Sequence, residues 1–261
     1  MKPYLAVARI TARSVLAYRL QYALSLVGVL FQLTAMLAVW HTMLAGRTLH
    51  GFTWPKMQTY LMVAFAAGAL VSNLSDFRVS VRIRNGMVAL DLVKPVDYQT
   101  VRFAETCGAL WAELLSVVVV CTLAVCFGVR LTIGSGTCAV LFVVSMMLLV
   151  PLKFAVTYLT GLLCFWTKNY LGLYWARLAI ASLLSGAMVP LSLLPQWLGT
   201  TAQWLPFAGM TSTPGLILIG DDTGWQAVRL LAVQFVWAAL LWFGSRLAWR
   251  GAIRQLTIHG G

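Results

Sequence analysis

The sequence predicts an all-α, polytopic membrane protein with six transmembrane helices. The chain has 261 residues, of which 61% are hydrophobic and only 10% are charged. That composition leaves too little polar surface to dissolve a domain of this size. Its charged residues cluster between long apolar stretches, and about 20 apolar residues in helix suffice to cross a bilayer. We therefore expect one transmembrane domain that covers residues 1–261.

Six apolar stretches are candidate spans. The third is interrupted only by Glu113, and the last three carry Lys153, Arg177 and Arg229 respectively. The end of the fourth stretch is the least defined boundary. The six stretches are residues 20–46, 57–75, 106–129, 136 onward, 169–190 and 224–245.

Basic residues predict the orientation of these spans. With both termini in the cytoplasm, the inner loops hold thirteen Lys or Arg and the outer loops hold four. An excess of basic residues on the cytoplasmic side is the usual topology signal. The net charge of +12 therefore indicates contact with anionic lipid headgroups, and we expect no nucleic acid partner.

The N-terminal residues 1–20 permit two interpretations. Arg9 and Arg13 lie one helical turn apart, which fits an interfacial helix from Pro3 to Leu20. The other interpretation is a cytoplasmic extension of the first span. A cleaved signal peptide is disfavoured because the apolar run is longer than a usual signal core. Side chains expected at the headgroup boundary are Tyr4, Val7, Ile10, Val15 and Tyr18.

Residues 76–105 form the one sizeable cytoplasmic segment that the sequence predicts. Alternation of apolar and polar residues in its first half fits a strand, and the spacing of Arg78 and Arg82 fits a helix. Asn85-Gly86 predicts a turn. Apolar side chains near water favour a docking surface over a plain solvated loop. They are Met87, Val88, Leu90, Leu92 and Val93.

Residues 191–224, on the outer side, contain no Lys or Arg. Pro195, Pro206 and Pro214 preclude one long span and fit the starts of short helices. Two interpretations remain open: a pair of re-entrant helices, or an aromatic anchor at the membrane interface. The aromatic residues of this segment are Trp197, Trp204 and Phe207.

No motif for catalysis or nucleotide binding occurs in the chain. The P-loop, nucleophile-elbow, zincin and dinucleotide-binding patterns are missing from the sequence. Three dispersed histidines and five scattered cysteines give no metal-ligand spacing. We therefore expect no enzyme activity, metal or cofactor on this chain, and a separate protein must supply energy for any transport.

Two short patterns in their order resemble the ABC-2-type permeases, the membrane subunits of ATP-binding-cassette exporters. The first is Ile83-Arg84-Asn85-Gly86 followed by Leu92-Val93-Lys94-Pro95. The second is Leu194-Pro195-x-Trp197-Leu198 followed by Trp204-Leu205-Pro206-Phe207. Many members of the broader superfamily have a Glu before the glycine, where this chain has Arg82 and Arg84.

The resemblance implies a coupling helix between spans two and three, seated in a groove of an ATPase subunit that binds ATP and Mg²⁺. It also implies a second permease chain, identical or different, and residence in a bacterial inner membrane. The exported substrate would be a hydrophobic or amphipathic small molecule, a lipid or a glycan. The residues it assigns to ATPase coupling are Arg82, Arg84, Asn85, Gly86, Met87, Leu90, Lys94 and Pro95.

Charged residues inside the spans are costly and suggest function. Lys153, Arg229 and Glu113 lie where anchoring near a membrane face explains them, and Glu113 could pair with Arg102 or Lys168. Arg177 lies about 13 Å beyond Lys168 along a helix, too deep for an easy exit. We assign Arg177 to the substrate path together with the outer aromatic residues Trp197, Trp204 and Phe207.

Two rival functions come from other classes. An integral-membrane enzyme acting on lipid or isoprenoid substrates would need paired acidic residues, and Asp221-Asp222 is the candidate pair. An ion-coupled carrier would keep acidic residues deep in its spans, where this sequence has only Glu113.

Overall fold

A computed structural model describes residues 2–17, 19–70, 73–167, 170–220 and 224–254. Within these ranges every regular element is a helix, and the β-type pairing is one isolated bridge between Leu49 and Phe52. The predicted all-α class is therefore confirmed. The expected roles of Lys168, Asp221 and Asp222 fall on residues outside the described ranges.

Eleven α-helices follow one another in the described part of the chain, with short 3-10 turns at Leu163–Phe165, Leu191–Leu193 and Ala208–Met210. The helices are α1 (Lys2–Ala17), α2 (Arg19–Met43), α3 (Trp54–Ala69), α4 (Asn73–Arg84), α5 (Val88–Leu92), α6 (Tyr98–Cys126), α7 (Gly136–Leu162), α8 (Tyr170–Leu184), α9 (Gln196–Trp204), α10 (Ser212–Ile219) and α11 (Trp225–Ile253).

Among the described residues, four helical stretches are long and apolar enough to cross a membrane: Ala23–Met43, Tyr98–Cys126, Gly136–Phe165 and Trp225–Ile253. The chain is therefore a multi-pass membrane protein. The other two predicted spans correspond to α3, with 16 residues, and α8, with 15. Each is shorter than the roughly 20 residues that a full crossing requires. Six crossings consequently stay a prediction.

Residues 191–220, which belong to the segment predicted on the outer side, contain two short helices, α9 and α10. Pro195 precedes α9 directly, and Pro214 lies in the first turn of α10, where its missing N–H costs no helical hydrogen bond. Helix α10 packs between α3 and α7. Tyr60 of α3 donates its hydroxyl to the Gly186 carbonyl at 2.7 Å, which ties the end of the α8 region to this core.

Helices α7 and α11 pack against each other along much of their length. A buried polar network joins them: Ser145 donates to Gln234 Oε1 at 2.8 Å. Gln234 Nε2 in turn donates to the carbonyls of Ser145 and Gly209, each at 2.9 Å. Because donors and acceptors are all paired, this buried amide stabilises one arrangement of α7, α11 and the turn that precedes α10.

Helix α1 packs along α6. A side chain at Gly108 would lie 2.3 Å from the Ala8 carbonyl, so the glycine permits the close approach. Tyr4, which we expected at the headgroup boundary, accepts a hydrogen bond from the Asp97 N–H at 3.4 Å. Ile10 is 68% exposed, as an interfacial side chain would be. The helix exists as predicted, and its location at the membrane interface stays a prediction.

Lys153 of α7 contacts the end of α3. Its Nζ donates to the carbonyls of Ala67 at 2.9 Å and Gly68 at 3.1 Å, and to that of Leu70. The last carbonyls of a helix have no partner within the helix, and a cation there is favourable. Lys153 therefore caps the C-terminal end of α3, and its location near a membrane face stays a prediction.

Candidate functional site

The segment between α3 and α6 is helical. Helix α4 ends at Arg84, residues 85–87 turn, and the single-turn helix α5 follows before α6 begins at Tyr98. Of the two alternatives that the sequence left open for its first half, the helix is therefore correct. Gly86 has φ +68°, a left-handed conformation that glycine adopts without strain. The predicted segment 76–105 thus comprises most of α4, the whole of α5 and the first two turns of α6.

Asp91 of α5 is the centre of an ion-pair cluster. Its carboxylate accepts from Arg82 at 2.7 Å and from Lys94 at 3.0 Å, and lies 3.5 Å from the Arg102 guanidinium. The Asp91 and Arg102 side chains are each 5% exposed. Arg102 also pairs with Glu105 at 3.0 Å. The cluster thus fastens α5 to both α4 and α6.

The surroundings of Asp91 favour its charged form. Burial alone would raise the pKa of this carboxyl, but the hydrogen bond from Lys94 and the charges of Arg102 and Arg82 outweigh it. The pKa of Asp91 is therefore lower than usual. At neutral pH the cluster contains an ionised carboxylate that bridges three cations.

The buried side of α4 and α5 packs on an aromatic cluster, which we define as Tyr98, Phe154, Tyr158 and Trp249. Tyr98 and Trp249 stack with ring centroids 4.2 Å apart, and Phe154 stacks on Tyr158 at 5.5 Å. Val79 of α4 and Val88 of α5 are buried in the same core. Through this cluster the two short helices pack directly against α6, α7 and α11.

The opposite side of α5 carries an exposed apolar patch, defined as Met87, Leu90, Leu92 and Val93. The exposed fractions of these side chains are 44%, 67%, 43% and 83%, respectively. Met87, Leu90 and Val93 are spaced three residues apart, so they share one face of the helical segment. Val88 was expected in this set and is instead 1% exposed, because it packs onto the aromatic cluster.

The structure divides the predicted coupling residues into two groups. Arg84, Asn85, Gly86 and Pro95 are exposed beside the patch. Arg82 and Lys94 bind Asp91, so part of their role is to hold α5 in place. A cleft of about 240 Å³ adjoins this cluster. Its lining comprises Pro3, Val7, Arg82, Asp91, Lys94, Val96, Tyr98, Val101, Arg102 and Glu105.

Arg177, predicted in the substrate path, lies against α7. Its guanidinium is 3.5 Å from the Thr157 hydroxyl and 5.6 Å from the centroid of the Tyr174 ring, within range of a cation–π interaction. Thr157 lies five residues, about 8 Å, before the end of α7. The structure thus places Arg177 against α7, and its depth in the membrane and its role in the substrate path stay predictions.

The outer aromatic residues have different environments. Trp197 and Trp204 are 71% and 60% exposed, although the Trp204 carbonyl accepts from Trp237 Nε1 at 2.8 Å. Phe207 packs inward against a core that includes Leu152 and Met210. Only Phe207 of the three therefore contributes to the packed interior of the chain.

Sequence reasoning missed Asp91 and Lys153 as the residues that organise this region. Asp91 is one of four acidic residues in the segment 76–105, and no local pattern distinguishes it from the other three. The expected pairing of Glu113 with Arg102 is wrong, since Arg102 binds Asp91 and Glu105. Glu113 is buried about 16 Å further along α6.

The described residues therefore form a multi-pass helical membrane protein with a folded, partly apolar element outside its long helices. Within those residues, no group of three potential metal ligands occurs. The family model described as ABC-2 family transporter protein matches residues 29–260. The chain belongs to this family, and is thus a membrane permease of an ABC transporter. A comparison with curated proteins found no match.

Proposed function

We propose that this chain is the permease subunit of an exporter in a bacterial inner membrane, driven by ATP hydrolysis on a separate ATPase subunit through α5. The observation that carries the proposal is the exposed apolar patch of Met87, Leu90, Leu92 and Val93 on a rigidly held helix. ATP and Mg²⁺ would be bound by the ATPase, and both termini of this chain would be cytoplasmic.

The patch has the composition of a protein docking site. Four exposed apolar side chains occur together on a short segment, and the charged residues Arg84 and Lys94 adjoin them. An apolar centre with a polar rim is the usual arrangement of a protein interface. A hydrophobic groove on the ATPase would bury Leu90 and Val93, the two most exposed members.

The contacts of α5 suit it to transmit motion. The exposed face of α5 would contact the ATPase. The buried face of α5 contacts the aromatic cluster through Val88. Asp91 links it to α4 and α6, so a displacement of α5 would displace these helices as one body. Closure of the ATPase subunits around ATP would then bias the bundle between inward and outward access. No covalent step on this chain is required.

The substrate we propose is an apolar or amphipathic molecule, such as a lipid, a glycan or a hydrophobic small molecule. Arg177 is the reason for proposing an anionic or polar group on it, because its guanidinium lies on an otherwise apolar helix, beside Thr157 and Tyr174. Phe207 would line the same path further along the bundle, with Trp197 and Trp204 at its outer end.

The test replaces Met87 and Leu90 with Asp in the tagged full-length chain. Each charge would be desolvated in a docked complex, so we expect the amount of copurifying ATPase to fall at least about tenfold. The matched control is Phe127→Asp with Ile133→Asp, two exposed apolar residues beyond the opposite end of α6. The control should retain the ATPase.

Two results would contradict the proposal. Normal ATPase recovery with the Met87 and Leu90 variant would place docking elsewhere on the chain. Failure of the wild-type chain to recover any ATP-hydrolysing subunit from its own membranes would remove the ATP-driven mechanism.

A further inference from the structure

The cleft beside Asp91 lies at the end of a long span. The apolar stretch Tyr98–Cys126 has 29 residues, which is about 43 Å of helix against a hydrocarbon core of about 30 Å. Arg102 and Glu105 lie in its first two turns, so this end of α6 extends beyond the hydrocarbon. The cleft between α1 and these turns is therefore at the level of the lipid headgroups.

Two polar groups of the cleft lining are buried without a partner. Arg102 and Tyr98 are each 5% exposed, and both line the cleft. Among the residues that the structure describes, neither Arg102 Nε nor the Tyr98 hydroxyl forms a hydrogen bond. The other guanidinium nitrogens of Arg102 are engaged by Glu105 and Asp91. A buried donor without an acceptor is destabilising, and more so on a charged group.

The two unpaired donors are neighbours. The guanidinium carbon of Arg102 lies 4.9 Å from the centroid of the Tyr98 ring, so one group with several acceptor oxygens can bind both residues. Hydrogen bonds from a guanidinium to a phosphate are among the strongest in proteins. The volume of the cleft, about 240 Å³, far exceeds the space that a single water requires. These features fit a phosphate group.

The charge of the lining favours a phosphodiester. Arg82, Lys94 and Arg102 carry three positive charges, and Asp91 and Glu105 carry two negative charges, which leaves one positive charge uncompensated. A phosphodiester has one negative charge and balances it. A phosphate monoester has between about 1.5 and 2 negative charges at neutral pH, which exceeds what the cleft supplies.

The remaining wall of the cleft is apolar. Pro3 and Val7, one helical turn apart on α1, face Val96 and Val101 across it. Such a wall packs favourably against the glycerol and upper acyl segments of a lipid, because both surfaces leave water. It contributes nothing to the binding of a small soluble anion.

We propose that this cleft binds the phosphodiester of an anionic phospholipid, which accepts hydrogen bonds from Arg102 Nε and the Tyr98 hydroxyl. The site does not depend on ATPase docking, because it requires only that the chain lies in a membrane. A bound lipid would join α1 to the ion-pair cluster of Asp91, and would thereby help to hold α5 in position.

The first test removes one donor. Short-chain phosphatidylglycerol is titrated into the purified full-length chain in detergent, and binding is followed by the rise in unfolding temperature. Tyr98→Phe should raise the half-saturating lipid concentration about fivefold, the effect of losing one hydrogen bond. The unfolding temperature without lipid should not fall, because the hydroxyl has no partner within the described part of the chain.

Tyr158→Phe is the matched control for this substitution. The Tyr158 hydroxyl is likewise buried and unpaired in the same aromatic cluster, but Tyr158 is not part of the cleft lining. This variant should bind the lipid as the wild type does. Equal half-saturating concentrations for the two variants would overturn the assignment of the site.

The second test changes the charge of the wall on α1. Val7→Glu places a carboxylate beside the phosphate position, so repulsion between like charges should weaken lipid binding at least about tenfold. The matched control is Ala6→Glu, an exposed position that points about 100° away around α1. Binding by Ala6→Glu should stay within about twofold of the wild type. Loss of binding in both variants, or in neither, would contradict a site at this cleft.

Three further ligands identify the source of the phosphate. Inorganic phosphate lacks the acyl chains, diacylglycerol lacks the phosphate, and phosphatidylcholine carries a cation that cancels its charge. Each should require at least about tenfold more ligand than phosphatidylglycerol for the same rise in unfolding temperature. Equal potency of inorganic phosphate would show a site for a soluble anion, and equal potency of phosphatidylcholine would show no preference for anionic lipid. Either result overturns the proposal, and neither bears on whether an ATPase copurifies with the chain.

Discussion

Lys153 and Arg177 show how differently two basic residues in apolar helices can be accommodated. Lys153 lies nine residues before the end of α7 and binds carbonyls at the end of α3. Arg177 is level with Thr157, closer to that end, and contacts a hydroxyl and the ring of Tyr174. The position of a charged residue along an apolar stretch therefore predicts its role less well than the groups that its side chain contacts.

Arg177 supplies the prediction at residue scale. Arg177→Leu should leave insertion intact and reduce ATP hydrolysis by the complex in lipid vesicles roughly fivefold or more, if the guanidinium participates in coupled transport. Arg177→Lys should retain part of the activity, since the charge persists without the planar contact to Tyr174. Arg229→Leu, at an exposed position, is the control. Wild-type activity in both Arg177 variants would remove Arg177 from the substrate path.

The sequence predicted these residues only in part. It identified Arg177 as unusual, and Gly86 as a turn residue, because both signals are local. It could not identify the contact between Lys153 and α3, since this depends on two helices separated by more than eighty residues in the chain. The cluster around Asp91 has the same origin, because Arg102 belongs to the next long helix.

At the scale of elements, α5 shows how a five-residue helix can be fixed in place. A helix of this length is not stable alone. Asp91 binds residues of α4 and α6, and Val88 is buried on the aromatic cluster. These contacts on one side leave Leu90 and Val93 exposed on the other.

Asp91 gives a prediction for this element. Asp91→Asn should destabilise the purified chain by about 1.5–3 kcal/mol, because buried cations lose a charged hydrogen-bond acceptor. Lys94→Gln should cost less, since the Lys94 side chain is 64% exposed. Thermal unfolding at neutral pH measures both. Equal unfolding temperatures for wild type and Asp91→Asn would show that the cluster does not hold α5.

The difference in stability between wild type and Asp91→Asn has a defined pH dependence. Because the pKa of Asp91 is lowered in the folded protein, its contribution is fully present above the ordinary carboxyl pKa of about 4. It is lost as the pH falls through the lower folded-state value. The difference in unfolding temperature between wild type and Asp91→Asn should thus be constant from pH 7 to about 5 and shrink below about 4. A difference that grows on acidification would contradict this sign.

Element boundaries differed from the sequence prediction for physical reasons. Alternating apolar residues at Val79, Val81 and Ile83 fit a strand as well as a helix. In the structure they belong to helix α4, and Val79 packs against Gly161 of α7. The apolar run after Met57 continues to Ser75, but α3 ends at Ala69. Lys153 donates hydrogen bonds to the carbonyls at this end of α3. Composition alone contains neither fact.

At the scale of the whole molecule, the family match begins at residue 29, within α2. Helix α1 therefore lies outside the matched region, yet it packs along α6 and contributes Pro3 and Val7 to the cleft beside Asp91. The first helix thus contacts the element that we assign to ATPase coupling.

The predicted orientation is testable with an impermeant thiol reagent. In a chain without its native cysteines, Ile133→Cys should be labelled on intact spheroplasts, and Val93→Cys only after the membrane is permeabilised. Both positions are exposed, whereas Ser80, an alternative on the inner side, is 1% exposed. The expected difference in labelling follows from the excess of basic residues on the side of the membrane predicted for Val93. Labelling of Val93→Cys from outside would reverse the topology.

The contact between Lys153 and α3 also bears on the order of assembly in the membrane. A lysine within an inserting helix costs about 2.5–3.5 kcal/mol, and the carbonyls of Ala67 and Gly68 offset this cost. Those carbonyls are made earlier in synthesis, more than eighty residues before Lys153. Because synthesis begins at the N-terminus, α3 is made before α7. The carbonyls that bind the Lys153 ammonium are therefore available when α7 enters the bilayer.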